Sequence, residues 1–190
     1  MTRRLSILLA LLLAFFTISA TAQSNELAVT AGGYFPFNTS FSADTSFAVG
    51  GSFAHRVAGV PLVSLYVELP VYASFNSTAT LKTVTSPANA KYSALFITPG
   101  VKLKLAPEFP VSPYAVFGGG LARYSKTNTG TNDSNASTFD IGGGLDFKVA
   151  PFLSLRGEVR DFYSGNAHIF QNVDERQHQV MATAGLVLRF

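Results

Sequence analysis

The stretch Val63-Ser64-Leu65-Tyr66-Val67-Glu68-Leu69-Pro70-Val71-Tyr72 carries an aliphatic side chain at every odd position, with serine, tyrosine, glutamate, proline and tyrosine at the even ones. A period of two is the repeat of a strand, whose side chains alternate between two faces. The odd face has no polar side-chain atom and calls for an apolar medium; the even face carries a carboxylate and calls for a different one. A second stretch repeats the pattern: Phe139, Ile141, Leu145, Phe147 and Val149 alternate with Asp140, Gly142, Gly144, Asp146 and Lys148.

Outward from these two stretches, the same alternation marks eight segments, at about 26–35, 46–56, 62–74, 91–105, 113–124, 138–149, 152–163 and 177–190. Helical periodicity is hard to find. The connections 36–45, 75–90, 125–137 and 164–176 are long and polar, and those between them are short. Long and short connections therefore fall on opposite ends of an up-and-down sheet. That asymmetry predicts an all-β, closed, antiparallel transmembrane barrel of about eight strands, with brief periplasmic turns, larger external loops and both termini in the periplasm. Composition agrees. The chain of 190 residues is 47% hydrophobic and only 13% charged, yet holds no long apolar run after its N-terminus, so its apolar surface is spread over many short elements.

Two prolines sit awkwardly in this scheme. Pro70 and Pro99 fall inside predicted strands, cannot donate a ladder hydrogen bond, and call for a bulge or a local break. Gly118 to Gly120 and Gly142 to Gly144 fit places where strands curve around a tight interior. Aromatic residues cluster near the strand ends. Tyr34, Phe35, Phe47, Tyr72, Tyr92, Tyr124, Phe139, Phe162 and Tyr163 are expected to form an outer girdle, and Phe53, Tyr114, Phe147, Phe152 and Phe190 an inner one.

The N-terminus reads as an export signal. Arg3 and Arg4 precede an apolar stretch, 5–18, broken only by Ser6 and Thr17, and Ala20-Thr21-Ala22 supplies the small residues of a cleavage site. Residues 1–22 are thus expected to be a signal peptide cut after Ala22, leaving 23–190 as one barrel domain. The formal net charge of +3 includes both leader arginines, so the mature chain is close to neutral and no nucleic-acid partner is expected. Cysteine is absent, which excludes a disulfide, a thiolate metal site and an acylated cysteine anchor.

At the C-terminus, Val180, Ala182, Ala184, Leu186, Leu188 and Phe190 alternate with Gln179, Met181, Thr183, Gly185, Val187 and Arg189, and the chain stops on phenylalanine. This ending resembles the insertion signal of bacterial outer-membrane barrels, and the whole mature chain resembles the OmpA/OmpX-type superfamily of small barrels. The resemblance implies a Gram-negative outer membrane, with surrounding lipid and lipopolysaccharide. It further implies that the barrel-assembly machinery reads the final strand, with Phe190 as the assembly signal. No subfamily motif carries a function across.

Candidate chemistry concentrates in Leu153-Ser154-Leu155-Arg156-Gly157-Glu158-Val159-Arg160-Asp161, where Arg156, Glu158 and Arg160 share the face opposite Leu153, Leu155 and Val159. With the apolar face toward lipid, these charges line the lumen, and Glu68, Lys102 and Asp146 join them by parity. Unpaired charges in so narrow a space would be costly, so a structural ion network is expected. A short turn at Pro151 predicts pairing in which Asp146 faces Arg156, Gly144 faces Glu158 and Gly142 faces Arg160. The outward band then includes Val63, Leu65, Val67, Leu145, Leu186 and Leu188. His55, His168 and His178 are scattered, with no ligand spacing and no nucleophile signature, so no metal, cofactor or catalytic site is expected. The leading expectation is a non-enzymatic barrel with a structural or surface-interaction role, its external loops contacting a ligand. The alternatives are a narrow pore for small solutes and a lipid A or phospholipid-modifying enzyme. A soluble lipocalin-like or sandwich fold would need an apolar interior, opposite to the polar parity of these strands.

Overall fold

The computed structural model describes residues 24–37, 41–81, 89–126, 134–165 and 177–190; the expected leader and most of the long connections lie outside these residues. Ten segments form one sheet: β1 (Asn25–Phe37), β2 (Phe41–Ala43), β3 (Ser46–Val60), β4 (Val63–Leu81), β5 (Asn89–Ile97), β6 (Gly100–Leu105), β7 (Val111–Lys126), β8 (Ser134–Ala150), β9 (Leu153–Ser164) and β10 (Gln177–Arg189). β2 continues the pairing of β3 along β4, and β5 and β6 both lie between β4 and β7. They are therefore halves of single wall strands, and the wall has eight. Each strand runs antiparallel to its neighbours, and β1 pairs with both β3 and β10, which closes the ring. A closed sheet leaves no edge, so every backbone polar group in the wall can find a partner inside the sheet.

The prolines explain one another. β4 pairs with β6 as far as Glu68 opposite Gly100, and with β5 from Val71 opposite Ile97 onward. Pro70 and Pro99 both fall in that single gap, so two residues lacking an N–H share one break in the ladder instead of making two. The Pro99 carbonyl turns to the other side and accepts from the Gly119 N–H at 3.1 Å.

Side chains follow the two-residue repeat around the ring. Leu65, Val67, Leu145, Leu186 and Leu188 are exposed on the outer wall, with Val63 half-buried, while Glu68, Lys102 and Asp146 on the other face are at most 2% exposed. Six of the fourteen expected girdle residues are corrected. Phe35, Phe47 and Phe139 near the long-loop end, and Phe53, Phe147, Phe152 and Phe190 toward the short-turn end, lie on the outer wall. Tyr34, Tyr72, Tyr92, Tyr124 and Phe162, and Tyr114 lower down, instead point inward and are buried. Parity decides this, since each shares the inward face of its strand, and most of these tyrosines find hydroxyl partners inside.

The lumen has two layers. Toward the long-loop end, Tyr34, Tyr72, Tyr92, Phe96, Tyr124, Phe162 and Met181 pack into a buried cluster, with Phe96 stacked on Phe162 at 4.6 Å between ring centroids. Its hydroxyls are tied by Gln179, which accepts from the Tyr34 hydroxyl at 2.9 Å and donates to the Tyr124 hydroxyl at 2.6 Å. The second layer, below it, is ionic.

Candidate functional site in the barrel lumen

The β8–β9 hairpin sets the geometry. Its turn is only Pro151 and Phe152, and the pairing beyond it puts Asp146 opposite Arg156, Gly144 opposite Glu158 and Gly142 opposite Arg160. An irregularity between Lys148 and Ala150 is absorbed before the network begins. The two glycines provide space. A Cβ on Gly144 would lie 2.6 Å from the Tyr114 hydroxyl and 2.3 Å from the Gly157 carbonyl oxygen, and one on Gly142 would lie 2.8 Å from Cγ of Arg160.

Five carboxylates, Glu26, Glu68, Asp140, Asp146 and Glu158, meet five cations, Lys102, Lys104, Arg156, Arg160 and Arg189, all of them buried. Among the described residues the lumen charges therefore balance. Two centres organise them. In the first, Arg156 grips Asp146 with two parallel bonds, Nε to Oδ1 at 2.8 Å and Nη2 to Oδ2 at 3.0 Å, and reaches Glu26 at 3.3 Å. Lys104 joins Asp146 at 2.6 Å and also Glu26, and Arg189 approaches both carboxylates, at 3.4 and 3.5 Å. In the second, Arg160 spreads its guanidinium over Glu68 at 2.7 Å, Asp140 at 2.8 Å and Glu158 at 2.9 Å. Lys102 links the two, lying 3.2 Å from Glu26 and 3.0 Å from Glu68.

Aromatic rings complete the shell. Tyr114 and Tyr72 both donate to Glu158, the first at 2.6 Å, and the guanidinium carbons of Arg156 and Arg160 stand 4.7 and 5.2 Å from the Tyr114 and Tyr72 ring centroids. Charge-assisted, bidentate bonds of this kind are the strong class of hydrogen bond, and a low-dielectric interior strengthens them further. Each carboxylate is held by at least one cation. The arrangement is suited to fixing strands against one another.

The sequence from residue 8 to residue 190 matches the model of the outer membrane protein beta-barrel domain. The chain belongs to this outer-membrane barrel family. Among solved structures it is similar to Neisserial surface protein A, at 17% identity over 87% of this chain and 97% of that one, with a TM-score of 0.59. It is also similar to the outer membrane protein OprG from Pseudomonas aeruginosa, at 12% identity over 88% and 97%, with a TM-score of 0.58. The outer membrane enzyme PagL aligns at 15% identity over 86% and 99%, with a TM-score of 0.54. No curated protein sequence matches the chain. At such identities the structural likeness is one of fold, and these neighbours include an enzyme.

For this outer-membrane barrel the structure brings Glu68, Lys102, Asp146, Arg156, Glu158 and Arg160 into one connected cluster. Sequence reasoning missed Glu26, Lys104, Asp140 and Arg189. Parity carried the signal for three of them: Lys104 shares the face of Lys102, Asp140 that of Asp146, and Arg189 the face opposite Leu188 and Phe190. Lys148, on the same row as Asp146, leaves the lumen and lies 3.8 Å from Glu108 beside a short turn. His55 bonds Asn25 at 2.8 Å, His178 pairs with Asp161 on the outer wall at 2.7 Å, and His168 lies outside the described residues.

Proposed function

We propose that this chain is a non-enzymatic barrel of the bacterial outer membrane, with a structural or surface-interaction role exerted through its long connections and a lumen closed by a structural ion network. The observation that carries this reading is the charge-balanced cluster, whose ten side chains cross-brace the wall and fill the bore. Eight strands leave an interior just wide enough for side chains, so a continuous water path would require part of that cluster to move. In planar lipid bilayers the purified protein is expected to give no discrete conductance steps; reproducible steps would replace this reading with that of a narrow pore. Lipid A and phospholipid incubated with it should keep their masses, and a deacylated or otherwise altered product would make it a lipid-modifying enzyme.

Assembly is part of the same proposal, with the barrel-assembly machinery as partner and Phe190 as the signal it reads. The last residue also closes the seam: its N–H donates to the Asn25 carbonyl at 3.1 Å and its own carbonyl accepts from the Asn25 N–H at 2.9 Å. Deleting Phe190 is expected to slow insertion and lower the amount of heat-modifiable, folded barrel in outer-membrane fractions. Normal rate and level in a pulse-chase fractionation would remove the proposed signal.

A further inference from the structure

We propose that the loop-end half of the lumen network holds a monovalent cation of the sodium class, bound by Asp140 and by the hydroxyl and carbonyl oxygens of Thr98, where the two prolines interrupt the ladder. The inference goes beyond the proposed function and needs only the geometry of the lumen.

Charge in the network balances in sum but not in place. Around Arg156, the carboxylates Glu26 and Asp146 meet Lys104, Arg156 and Arg189, which leaves one positive charge in excess. Around Arg160, the carboxylates Glu68, Asp140 and Glu158 meet that one guanidinium, and even with Lys102 counted wholly here one negative charge is left over. The positive excess has an outlet toward water. Arg189 stands next to the last residue of the chain and, at 7%, is the most exposed of the ten charged side chains. The negative excess lies deeper, against the aromatic layer, from which Tyr72 donates to Glu158. A charge buried there without a counter-charge is costly.

Unused oxygen atoms gather at the same place. Asp140 is 1% exposed, and its Oδ2 accepts from Arg160 at 2.8 Å, but its Oδ1 has no hydrogen-bond partner among the described residues. The Thr98 hydroxyl, equally buried, lies beside this carboxylate without completing a hydrogen bond. The register that pairs Glu68 with Gly100 and Val71 with Ile97 sets Pro70 opposite Thr98, and a proline has no N–H to offer the Thr98 carbonyl. Gly118, directly opposite Asp140, keeps the spot free of a side chain. A Cβ on it would lie 2.3 Å from Asp140 Oδ1, 2.6 Å from the Thr98 carbonyl oxygen and 3.2 Å from that of Pro99, so all three oxygens turn toward one region of the lumen.

The chemistry selects the occupant. Carboxylate, hydroxyl and carbonyl oxygens are the ligands of a hard cation, whose hydration shell they replace. The leftover charge sets the valence: one positive charge neutralises this half of the network, and a divalent ion would overshoot it beside the Arg160 guanidinium. Water would satisfy the oxygens and leave the charge uncompensated.

Urea unfolding of the purified barrel in a non-ionic detergent, followed by circular dichroism, tests the site. Sodium chloride is replaced stepwise by N-methylglucamine chloride at constant ionic strength, so that screening stays fixed and only the small cation varies. One sodium ion bound to the folded state alone should raise the folded-to-unfolded ratio about tenfold for each tenfold rise in sodium above its dissociation constant. Ser154→Ala removes an equally buried, unpartnered hydroxyl nearer the periplasmic end and should keep that dependence. Thr98→Val, which preserves shape and charge, and Asp140→Asn should flatten it, with heat-modifiable migration verifying that each variant is a folded barrel. Equal stability of the unaltered barrel in the two salts would show that water alone fills the spot and would overturn the site. So would a sodium dependence that survives in either Thr98→Val or Asp140→Asn, or one that Ser154→Ala also abolishes.

Discussion

Asp146→Asn is expected to destabilise the barrel by about 3 to 5 kcal/mol, because it removes one member of a buried ionic cluster and leaves its partners uncompensated. Asp146 is met by three cations, Lys104, Arg156 and Arg189, so its loss leaves an excess positive charge in a space with little room for water. Arg156→Gln fails in the opposite sense. It leaves Asp146 with Lys104 and Arg189, and Glu26 with Lys102, Lys104 and Arg189, but one negative charge in excess. The double variant restores neutrality. Its unfolding free energy in detergent should therefore fall short of the sum of the single losses by about 1 to 3 kcal/mol, the coupling expected of residues in direct contact. Additive losses would show that the two bonds between Arg156 and Asp146 carry no energy. The same cycle applied to Asp146 and the outward Leu145 should be additive, since these neighbours in sequence face different media.

What the sequence made legible follows from where a short turn fixed the register. Pro151 and Phe152 join β8 to β9, and a turn of that length leaves the strands little choice of pairing, so the opposition of Asp146 and Arg156 can be read directly from residue numbers. No such constraint exists across residues 165–176, and the meeting of Asp161 with His178 was invisible for that reason: their contact depends on a register set by neighbours elsewhere in the ring. Closure hid Glu26 in the same way. It stands at the start of β1, and its partners come from β6, β9 and β10, three strands brought to it only when the sheet bends into a cylinder. The tyrosines were misplaced for a different reason. Position near a strand end suggested a girdle, while their even numbering shared the parity of Glu68 and Asp146; parity decides, because a one-residue shift would turn each strand's apolar face inward. Pro70 and Pro99 looked like two faults in separate strands and are one feature of the wall, a fact that depends on the register between those strands, which the long connection 75–90 leaves open.

Leu186→Arg is expected to cost about 2 to 4 kcal/mol, the penalty for a cation on the lipid face near the middle of a transmembrane barrel. Leu186 lies between Val29 and Leu155 on the adjoining strands, and all three are exposed, a patch of aliphatic surface that water would not tolerate and a bilayer would. The neighbouring Val187 is fully buried on the opposite face, so the outward direction of residue 186 is set by its own strand. A guanidinium there has no carboxylate within the outward belt of β1, β9 and β10 at its level, and relief comes only by snorkelling toward an interface or thinning the bilayer. Leu65→Arg, on the far side of the ring in β4, should carry a cost of the same order. Thr129→Arg, in a connection rich in asparagine, serine and threonine, should change stability little. Unfolding by guanidinium chloride in lipid vesicles separates the cases. If Leu186→Arg and Thr129→Arg unfold at the same denaturant concentration, the aliphatic belt does not face hydrocarbon, and the charges assigned to the lumen would have to be reassigned with it.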